Sequence, residues 1–369
     1  MDIKVITRHA PSNYGSLLQS IATQKIIERL GYDCEIIDYR RKDEMGYNII
    51  KSHLNNLKKW GTNPIKRMIY ILLRFPEEYL AEKRFATYQK KYLKLTPRYQ
   101  TLDELKSVNA DIYMTGSDQV WGPTLSGSYD AAYFLKFVNE GKKKVAYAAS
   151  FGRTNFDEPV LKKYKQLLSK YDLITVREDS AVDILKGLDM RCNGQVLDPT
   201  LLLGCDDWEK FICKDYMYGK KYILVYQLNN AQVSEYAKML AMRTKLPVYR
   251  VTPYFHQVVS GGRMVLLPTI GKFLSCIKNC SYLVTDSFHG ISFAINFKKQ
   301  FMAILPKETT STRNKSLLKL FGLENRVVSN SLNDGIIRDP IDYLSVNKKL
   351  VEERCKSIDL LKKMLNMNL

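Results

Sequence analysis

Five consecutive residues combine groups that could do chemistry: Asp286, Ser287, Phe288, His289 and Gly290. They follow a short apolar run that predicts a buried strand, and they lead into an apolar run that predicts a helix opening near the imidazole. A helix N-terminus presents free N–H groups and about half a positive charge, so it attracts anions. An imidazole held there can deliver a proton to a bound anion. We therefore predict that His289 is a catalytic residue; helix capping or core packing is the alternative.

Polar turns of the same kind follow predicted strands in the first half of the chain, at residues 13–16, 116–119, 150–152 and 177–178. In open parallel sheets, ligands bind beyond the carboxyl ends of the strands. The residues that we expect to contact a substrate there are Asn13, Gly15, Ser117, Asp118, Gln119 and Ser150. We expect Arg177 to bind an anion, with an interdomain ion pair as the alternative. Turn formation and N-capping are the alternatives for the others.

The elements that position these turns alternate as strand, helix and strand, which predicts βαβ units and parallel sheets. We predict an α/β fold with two Rossmann-like domains that face each other across a cleft. The predicted N-terminal domain covers residues 1–205 and includes a basic helical insertion at residues 40–100. The predicted C-terminal domain covers residues 206–340, and a final helix covers residues 341–369.

The net charge of +19 is unevenly distributed along the chain. Residues 40–98 contain 15 Lys or Arg against five Asp or Glu. Such a segment attracts polyanions. We predict either a solvated pair of basic helices or contact with an anionic membrane surface. No nucleic acid partner is expected, because the segment lacks a recognisable binding module.

Length and cysteine content favour a two-domain protein with reduced thiols. The chain has 369 residues, 45% of them hydrophobic, which is enough for two ordinary cores. Seven scattered cysteines and four histidines show no metal-ligand spacing, so we expect no metal. We see no signal peptide, and no apolar run approaches the ~18 residues that span a bilayer. We expect a cytoplasmic protein, with a position at the inner face of the membrane as an open alternative.

Six motifs in a set order resemble those of the polysaccharide pyruvyl transferase family. They are NYG at residues 13–15, GSDQVW at 116–121, YAASFG at 147–152, VRE at 176–178, LDPT at 197–200 and TDSFHG at 285–290. A weaker match continues through Arg313 and residues 317–318. The resemblance depends on the ordered set rather than on any single motif, and it says nothing about the basic insertion.

The resemblance implies a fold similar to the GT-B glycosyltransferases. It also implies transfer of a pyruvyl group from phosphoenolpyruvate to two hydroxyls of a sugar, which forms a cyclic ketal. The acceptor would be a capsular polysaccharide, an exopolysaccharide or a cell-wall glycan, or a lipid-linked precursor. Phosphoenolpyruvate is then a donor substrate, and no cofactor is implied. His289 matches the family's proposed general acid, and Arg177 matches one of its two donor-binding arginines.

The other donor-binding arginine of the family stands two places before the histidine, where this chain has Ser287. A hydroxyl and the backbone N–H groups near Ser287 and Gly290 can bind an oxyanion, but without a formal charge. Arg313 and Arg263 are candidates to supply the charge. We expect the donor to lie between Arg177 and this helix N-terminus. The Asp-Pro pair at residues 198–199 is predicted to be structural, because it ends a strand.

Two other functions are compatible with the sequence. A GT-B-type glycosyltransferase using a nucleotide sugar would share the architecture, although the second half lacks an obvious acidic motif for a nucleotide ribose. A non-catalytic glycan-binding relative would account for the serine in place of the arginine and for the high positive charge.

Overall fold

The computed structural model describes residues 1–55, 63–124, 129–228, 230, 232–305, 311–328 and 335–366. The chain divides into two compact units. Unit 1 consists of Met1–Arg177, Ala181–Gln195 and Leu360–Leu369, and unit 2 consists of Glu178–Ser180 and Val196–Asp359. Among the described residues, no helix is both long and apolar enough to cross a membrane.

Unit 1 is built on a parallel sheet. Its strands are β1 (Asp2–Ile6), β2 (Asp33–Tyr39), β3 (Leu95–Tyr99), β4 (Ile112–Thr115), β5 (Lys143–Ala149), β6 (Leu173–Val176) and β7 (Gly194–Gln195). Their order in the sheet is β3-β2-β1-β4-β5-β6-β7, and every neighbouring pair is parallel. Val5, Ile36 and Met114 are fully buried in neighbouring strands, as is typical of parallel strands covered by helices.

Helices connect and cover these strands. They are α1 (Tyr14–Arg29), α2 (Gly46–Asn55), α3 (Pro64–Tyr92), α4 (Leu102–Leu105), α5 (Glu158–Leu168) and α6 (Asp179–Gly187), whose first two residues belong to unit 2. Asn13 caps α1 and Asn63 caps α3, each by accepting hydrogen bonds from the N–H groups two and three residues further on. Pro64 suits the first position of α3, because that position needs no N–H donor.

Unit 2 has a second parallel sheet. Its strands are β8 (Ile223–Tyr226), β9 (Val248–Thr252), β10 (Arg263–Leu266), β11 (Tyr282–Thr285) and β12 (Gln300–Ala303), in the order β10-β9-β8-β11-β12. Its helices are α7 (Pro199–Leu202), α8 (Cys205–Glu209), α9 (Gln232–Thr244), α10 (Ile270–Asn279), α11 (Phe288–Asn296), α12 (Thr312–Leu320), α13 (Gly335–Arg338) and α14 (Tyr343–Leu365). The last turns of α14 belong to unit 1.

Each unit has its own hydrophobic core. In unit 1, the fully buried Trp121 packs against Phe134 and Phe151, with ring centroids 5.8 and 5.1 Å away. In unit 2, Trp208 packs edge-on against Phe293 at 5.1 Å and donates its indole N–H to the carbonyl of Thr200. Both tryptophans are therefore core residues.

Two α/β units with parallel sheets confirm the predicted fold class. The predicted helical insertion is correct for α2 and α3, but residues 95–99 form the edge strand β3 instead of continuing it. The sequence did not predict this strand because it contains Pro97. Proline lacks an N–H group and is tolerated mainly in edge strands. The main division also lies nearer residue 196 than residue 205, because residues 199–203 pack within unit 2.

Candidate active site

Each sheet has one point where the strand order reverses direction. It lies between β1 and β4 in unit 1, and between β8 and β11 in unit 2. In open α/β sheets, ligands bind beyond the carboxyl ends of the strands at such a point. The predicted site residues follow these strands or their neighbours, so they fall into one cluster in each unit.

In unit 1, the cluster is centred on the carboxylate of Asp118. Ser16 donates its hydroxyl to Oδ2 at 2.7 Å, and the Arg177 guanidinium donates to Oδ1 at 3.2 Å. The same guanidinium donates to the Ser117 hydroxyl at 3.4 Å. Asp118 has a φ of 77°, which few residues other than glycine adopt and which is often found at functional sites.

Arg177 is predicted to bind the donor, and its observed partner is a carboxylate of its own unit. Its side chain is 0% exposed, and Asp118 balances its charge within hydrogen-bond distance. The structure therefore brings Arg177, Asp118 and Ser117 together within unit 1. The alternative prediction was an ion pair between domains, and the observed ion pair lies within unit 1. Donor binding by Arg177 stays a prediction.

Asn13 and Gly15 lie at the start of α1. The side-chain oxygen of Asn13 accepts the N–H groups of Gly15 and Ser16, at 2.8 and 3.3 Å. This is the capping arrangement considered above as the alternative to substrate binding. The cap also places Ser16 where its hydroxyl reaches Asp118, so Asn13 supports the cluster through the backbone.

Gln119 and Ser150 meet in the adjoining turns. The Ser150 hydroxyl accepts the N–H of Gly152 at 3.1 Å, and the Ser150 carbonyl accepts the N–H of Trp121 at 3.1 Å. A Cβ added to Gly152 would lie 2.5 Å from Nε2 of Gln119. The Gln119 amide therefore lies directly over Gly152, whose φ of 70° favours glycine.

In unit 2, Asp286 follows β11 and joins the two loops at the reversal point. Its carboxylate oxygens accept the N–H groups of Leu228 and Asn230, each at 2.7 Å, from the loop that follows β8. One residue earlier, the Thr285 hydroxyl donates to the carbonyl of Tyr226 at 2.6 Å. These bonds fix the start of α11 relative to the neighbouring strand.

Ser287 is the N-cap of α11. Its hydroxyl oxygen accepts the N–H of Gly290 at 3.2 Å, and its carbonyl accepts the N–H of Ile291 at 3.1 Å. The cap therefore uses the Gly290 N–H, one of the groups that a helix terminus otherwise offers to an anion, whereas the Ile291 bond is the first regular bond of the helix. The hydroxyl hydrogen of Ser287 is still a donor that an anion could accept.

His289 lies in the first turn of α11 and is buried. Its Nε2 atom is 3.7 Å from Oδ2 of Asp198 and makes no hydrogen bond within the part of the chain that the structure describes. Buried polar atoms in purely structural roles are nearly always hydrogen-bonded. The Nε2 atom therefore faces a carboxylate without a hydrogen bond among the described residues, and the catalytic role of His289 stays a prediction.

Asp198 is the site residue that sequence reasoning missed. Its Oδ1 atom caps α7 by accepting the N–H and the hydroxyl of Thr200, at 2.9 and 2.7 Å, which is the predicted structural role. Its Oδ2 atom faces His289. A carboxylate beside an imidazole orients the ring and stabilises its protonated form. The LDPT motif was a signal, but nothing in its spacing linked it to His289.

A further network holds Asp198 and His289 at this distance. The side-chain amide of Asn296, at the end of α11, donates to the carbonyls of Thr200 and Leu203 at 2.8 and 3.1 Å. Arg354 of α14 donates to the Asn296 side chain at 2.7 Å and to the carbonyl of Leu201 at 2.6 Å. Burial lowers the pKa of Arg354 from its usual value. These hydrogen bonds therefore hold the segment that follows Asp198 against helix α11, which carries His289.

Arg313 lies in the first turn of α12, within unit 2. Its neighbour Asn314 donates to the carbonyl of Asp286 at 3.2 Å, so α12 begins beside the turn that carries Ser287. Arg263 lies at the amino end of the outermost strand β10 and donates to the Tyr249 hydroxyl at 3.1 Å. The amino and carboxyl ends of parallel strands lie at opposite edges of the sheet. Arg313 is therefore the better candidate to supply the missing charge.

One group of potential metal ligands occurs within the described ranges. Cys205, Asp206 and Glu209 have ligand atoms within 4.8 Å of one another. Glu209 already pairs with Lys278 at 2.5 Å, and the two acidic residues are exposed. All seven cysteines are free thiols. No metal is assigned to this group.

The chain resembles known proteins at two levels. A family model described as polysaccharide pyruvyl transferase matches residues 13–308. The solved UDP-GlcNAc 2-epimerase from Neisseria meningitidis, bound to UDP-GlcNAc, is 13% identical with a TM-score of 0.52, and 99% of each chain is covered. A solved spinosyn rhamnosyltransferase is 9% identical with a TM-score of 0.51, again over 99% of each chain. Among curated proteins, no sequence matches the chain significantly.

At these identities, the two solved structures are informative about the fold alone. Both are GT-B proteins, so the likeness confirms the predicted GT-B-like class. The family match extends over most of the chain and includes all six motifs, Arg177 and His289 among them. This chain is a member of the polysaccharide pyruvyl transferase family.

Proposed function

We propose that the protein transfers a pyruvyl group from phosphoenolpyruvate to two hydroxyls of one sugar, forming a cyclic ketal. The sugar would belong to an exopolysaccharide, a capsular polysaccharide or a lipid-linked precursor. The observation that carries the proposal is that His289, which the TDSFHG motif predicts to be the family's histidine, faces the Asp198 carboxylate at 3.7 Å. The family membership supports the reaction class, and the donor is our inference.

The reaction needs one proton and one leaving group. A sugar hydroxyl attacks C2 of the donor while C3 of the enol takes up a proton, and the hydroxyl loses its own proton. A second hydroxyl of the same sugar then attacks C2 and loses its proton, and inorganic phosphate leaves with the C2–O bond electrons and takes up that proton. The products are the ketal and phosphate, so no oxidant or cofactor is required.

In this proposal, His289 is the general acid that delivers the proton to the enol. Asp198 stabilises the protonated imidazole, because opposite charges at this distance attract strongly in a buried setting. General acid catalysis of this kind contributes about 10²–10⁴-fold to the rate. The chemistry therefore depends on a pair of residues whose backbone segments are held by Asn296 and Arg354.

The donor carries a carboxylate and a phosphate, and both need positive partners. We assign the Ser287 hydroxyl and the Arg313 guanidinium to the donor, because the start of α12 adjoins the turn of Ser287. Arg313 would supply the charge that the family arginine supplies elsewhere. Donor binding by Arg177 of unit 1 stays a prediction from the family motif, and the observed pairing of Arg177 with Asp118 would compete with it.

The test replaces His289 by asparagine and measures pyruvate incorporation into an acceptor glycan. We expect a loss of about 10²–10⁴-fold in the rate, while phosphoenolpyruvate still raises the thermal midpoint of the variant. The matched control is His256→Asn, which changes an exposed histidine of the same unit. Full activity in His289→Asn would remove the histidine from the mechanism.

The alternative of a nucleotide-sugar glycosyltransferase is compatible with the GT-B neighbours, but the family match favours pyruvyl transfer. The two donors can be compared directly by thermal shift. We expect phosphoenolpyruvate to stabilise the protein and UDP-GlcNAc to have no effect. Stabilisation by UDP-GlcNAc alone would overturn the proposal in favour of the alternative.

A further inference from the structure

Helix α3 of unit 1 carries an apolar face that points to solvent. Six large, exposed apolar residues are spaced one to seven residues apart along α3, so that they lie on one side of the helix: Ile65, Met68, Ile69, Leu72, Leu73 and Leu80. Leu72 and Leu73 are 64% and 69% exposed. Large, contiguous apolar faces that are exposed to solvent are often sites of interaction with another protein or with a membrane.

The orientation of α3 is fixed by its opposite face. Ala81, Phe85 and Tyr88 are buried, and the Phe85 ring packs against Tyr14 of α1 at 4.9 Å. The Gln89 side chain donates to the carbonyl of His9 at 2.8 Å. If α3 rotated about its axis to bury the apolar face, these contacts would be lost. The apolar residues therefore point to solvent in the folded unit.

The charges of α3 are sorted in the same way. Its three acidic residues face the protein: Arg74 pairs with Glu77 and Glu78 at 2.5 and 3.1 Å, and Glu82 accepts the N–H of Gly46 at the start of α2. Lys83 and Lys90 are exposed and continue the outward side beyond Tyr79, at spacings of four and seven residues. The outward side of α3 is therefore apolar in its first half and cationic in its second.

We propose that the outward face of α3 docks on the surface of an anionic lipid membrane. The apolar half would enter the boundary between headgroups and acyl chains, while the lysine half would bind lipid phosphates. A second copy of the chain would cover the apolar half but would bring no exposed acidic group of α3 to the lysines. An anionic membrane matches both halves, and the proposal does not depend on the donor or on the transfer reaction.

The test measures cosedimentation of the full chain with vesicles that contain phosphatidylglycerol, and with vesicles of phosphatidylcholine alone. We expect binding to the anionic vesicles that weakens as salt is added, because screening reduces the lysine contribution. The double substitution Leu72→Ser and Leu73→Ser should weaken binding by about tenfold for each leucine. The double substitution Lys83→Glu and Lys90→Glu should abolish the preference for phosphatidylglycerol.

Matched controls separate this face from general surface properties. Leu344→Ser changes a leucine of α14 that is 83% exposed, and Lys163→Glu with Lys186→Glu changes two exposed lysines of α5 and α6. Both controls should bind vesicles as the natural chain does. Equal losses in variants and controls would overturn the proposal. The proposal would also be overturned if the natural chain did not bind vesicles and instead formed a dimer that the double substitution Leu72→Ser and Leu73→Ser dissociates.

Discussion

Replacing Gly290 by alanine is the most direct test of how α11 is seated in unit 2. An added Cβ would lie 2.6 Å from Oγ1 of Thr285 and 3.1 Å from its Cγ2, well inside ordinary contact. The Thr285 side chain cannot easily yield, because its hydroxyl donates to the Tyr226 carbonyl and accepts the N–H of Ser287. Gly290 therefore allows the first turn of α11 to approach the end of β11.

The size of the effect follows from two opposing contributions. Forcing a methyl group into a packed site costs about 1–3 kcal/mol, whereas alanine is favoured over glycine within a helix by about 1 kcal/mol. Because Thr285 is held on both sides, we expect a net loss of about 1–2 kcal/mol, or a fall of about 2–8 °C in the thermal midpoint.

A second background isolates the cause. Thr285→Ala removes the two atoms nearest to the new methyl group, at the expense of two hydrogen bonds, and leaves the Cβ of residue 285 at 3.2 Å. In that background, Gly290→Ala should lower the thermal midpoint much less than in the natural chain, because the two closest contacts are gone and the helix preference for alanine remains. The control is Gly187→Ala in α6, where nothing lies within 4 Å of an added Cβ.

Two outcomes would refute this reasoning. One is an equal fall in the thermal midpoint in both backgrounds, which would show that the contact with Thr285 is not the cause. The other is an unchanged midpoint with a raised KM for phosphoenolpyruvate, which would mean that the glycine makes room for the donor.

Two further predictions concern charge. Arg313→Gln should lower kcat/KM for phosphoenolpyruvate by about 10–100-fold, as expected for a lost charge-assisted hydrogen bond, whereas Lys315→Gln on the same helix should have little effect; equal effects would exclude Arg313 as donor ligand. In unit 1, burial alone would raise the pKa of Asp38, but hydrogen bonds from His9 and Arg40 hold it below its usual range. The unfolded chain then binds more protons in acid, so this stabilisation is complete above about pH 4 and is lost as the pH falls further. Thermal midpoints should therefore fall less steeply between neutral and acidic pH in Asp38→Asn than in the natural chain, and parallel pH profiles would contradict this.

Sequence patterns were sufficient where a segment is strongly periodic and bounded by turn residues. Strand β6 and helix α9 are examples, since each has an apolar pattern with polar residues on both sides. Strand β3 was missed because Pro97 contradicts the usual composition of a strand, and only its position at the sheet edge makes it acceptable.

The rule that parallel strands carry sites at their carboxyl ends brought most of the site residues together. Ser16, Asp118 and Arg177 follow three different strands, and the structure joins them by hydrogen bonds. This rule does not predict which side chains pair with each other. The pairing of Arg177 with Asp118 and the approach of Asp198 to His289 depend on side-chain directions, which strand order alone does not determine.

The cap formed by Ser287 has a consequence for how this position can change in evolution. The family resemblance implies an arginine at this position, and an arginine side chain has no acceptor with which to cap α11. Exchanging one residue for the other trades helix stability, about 1 kcal/mol for a cap, against a positive charge. A lineage could make that exchange only with a compensating change elsewhere, so the residue at 287 and the start of α12 should vary together among relatives.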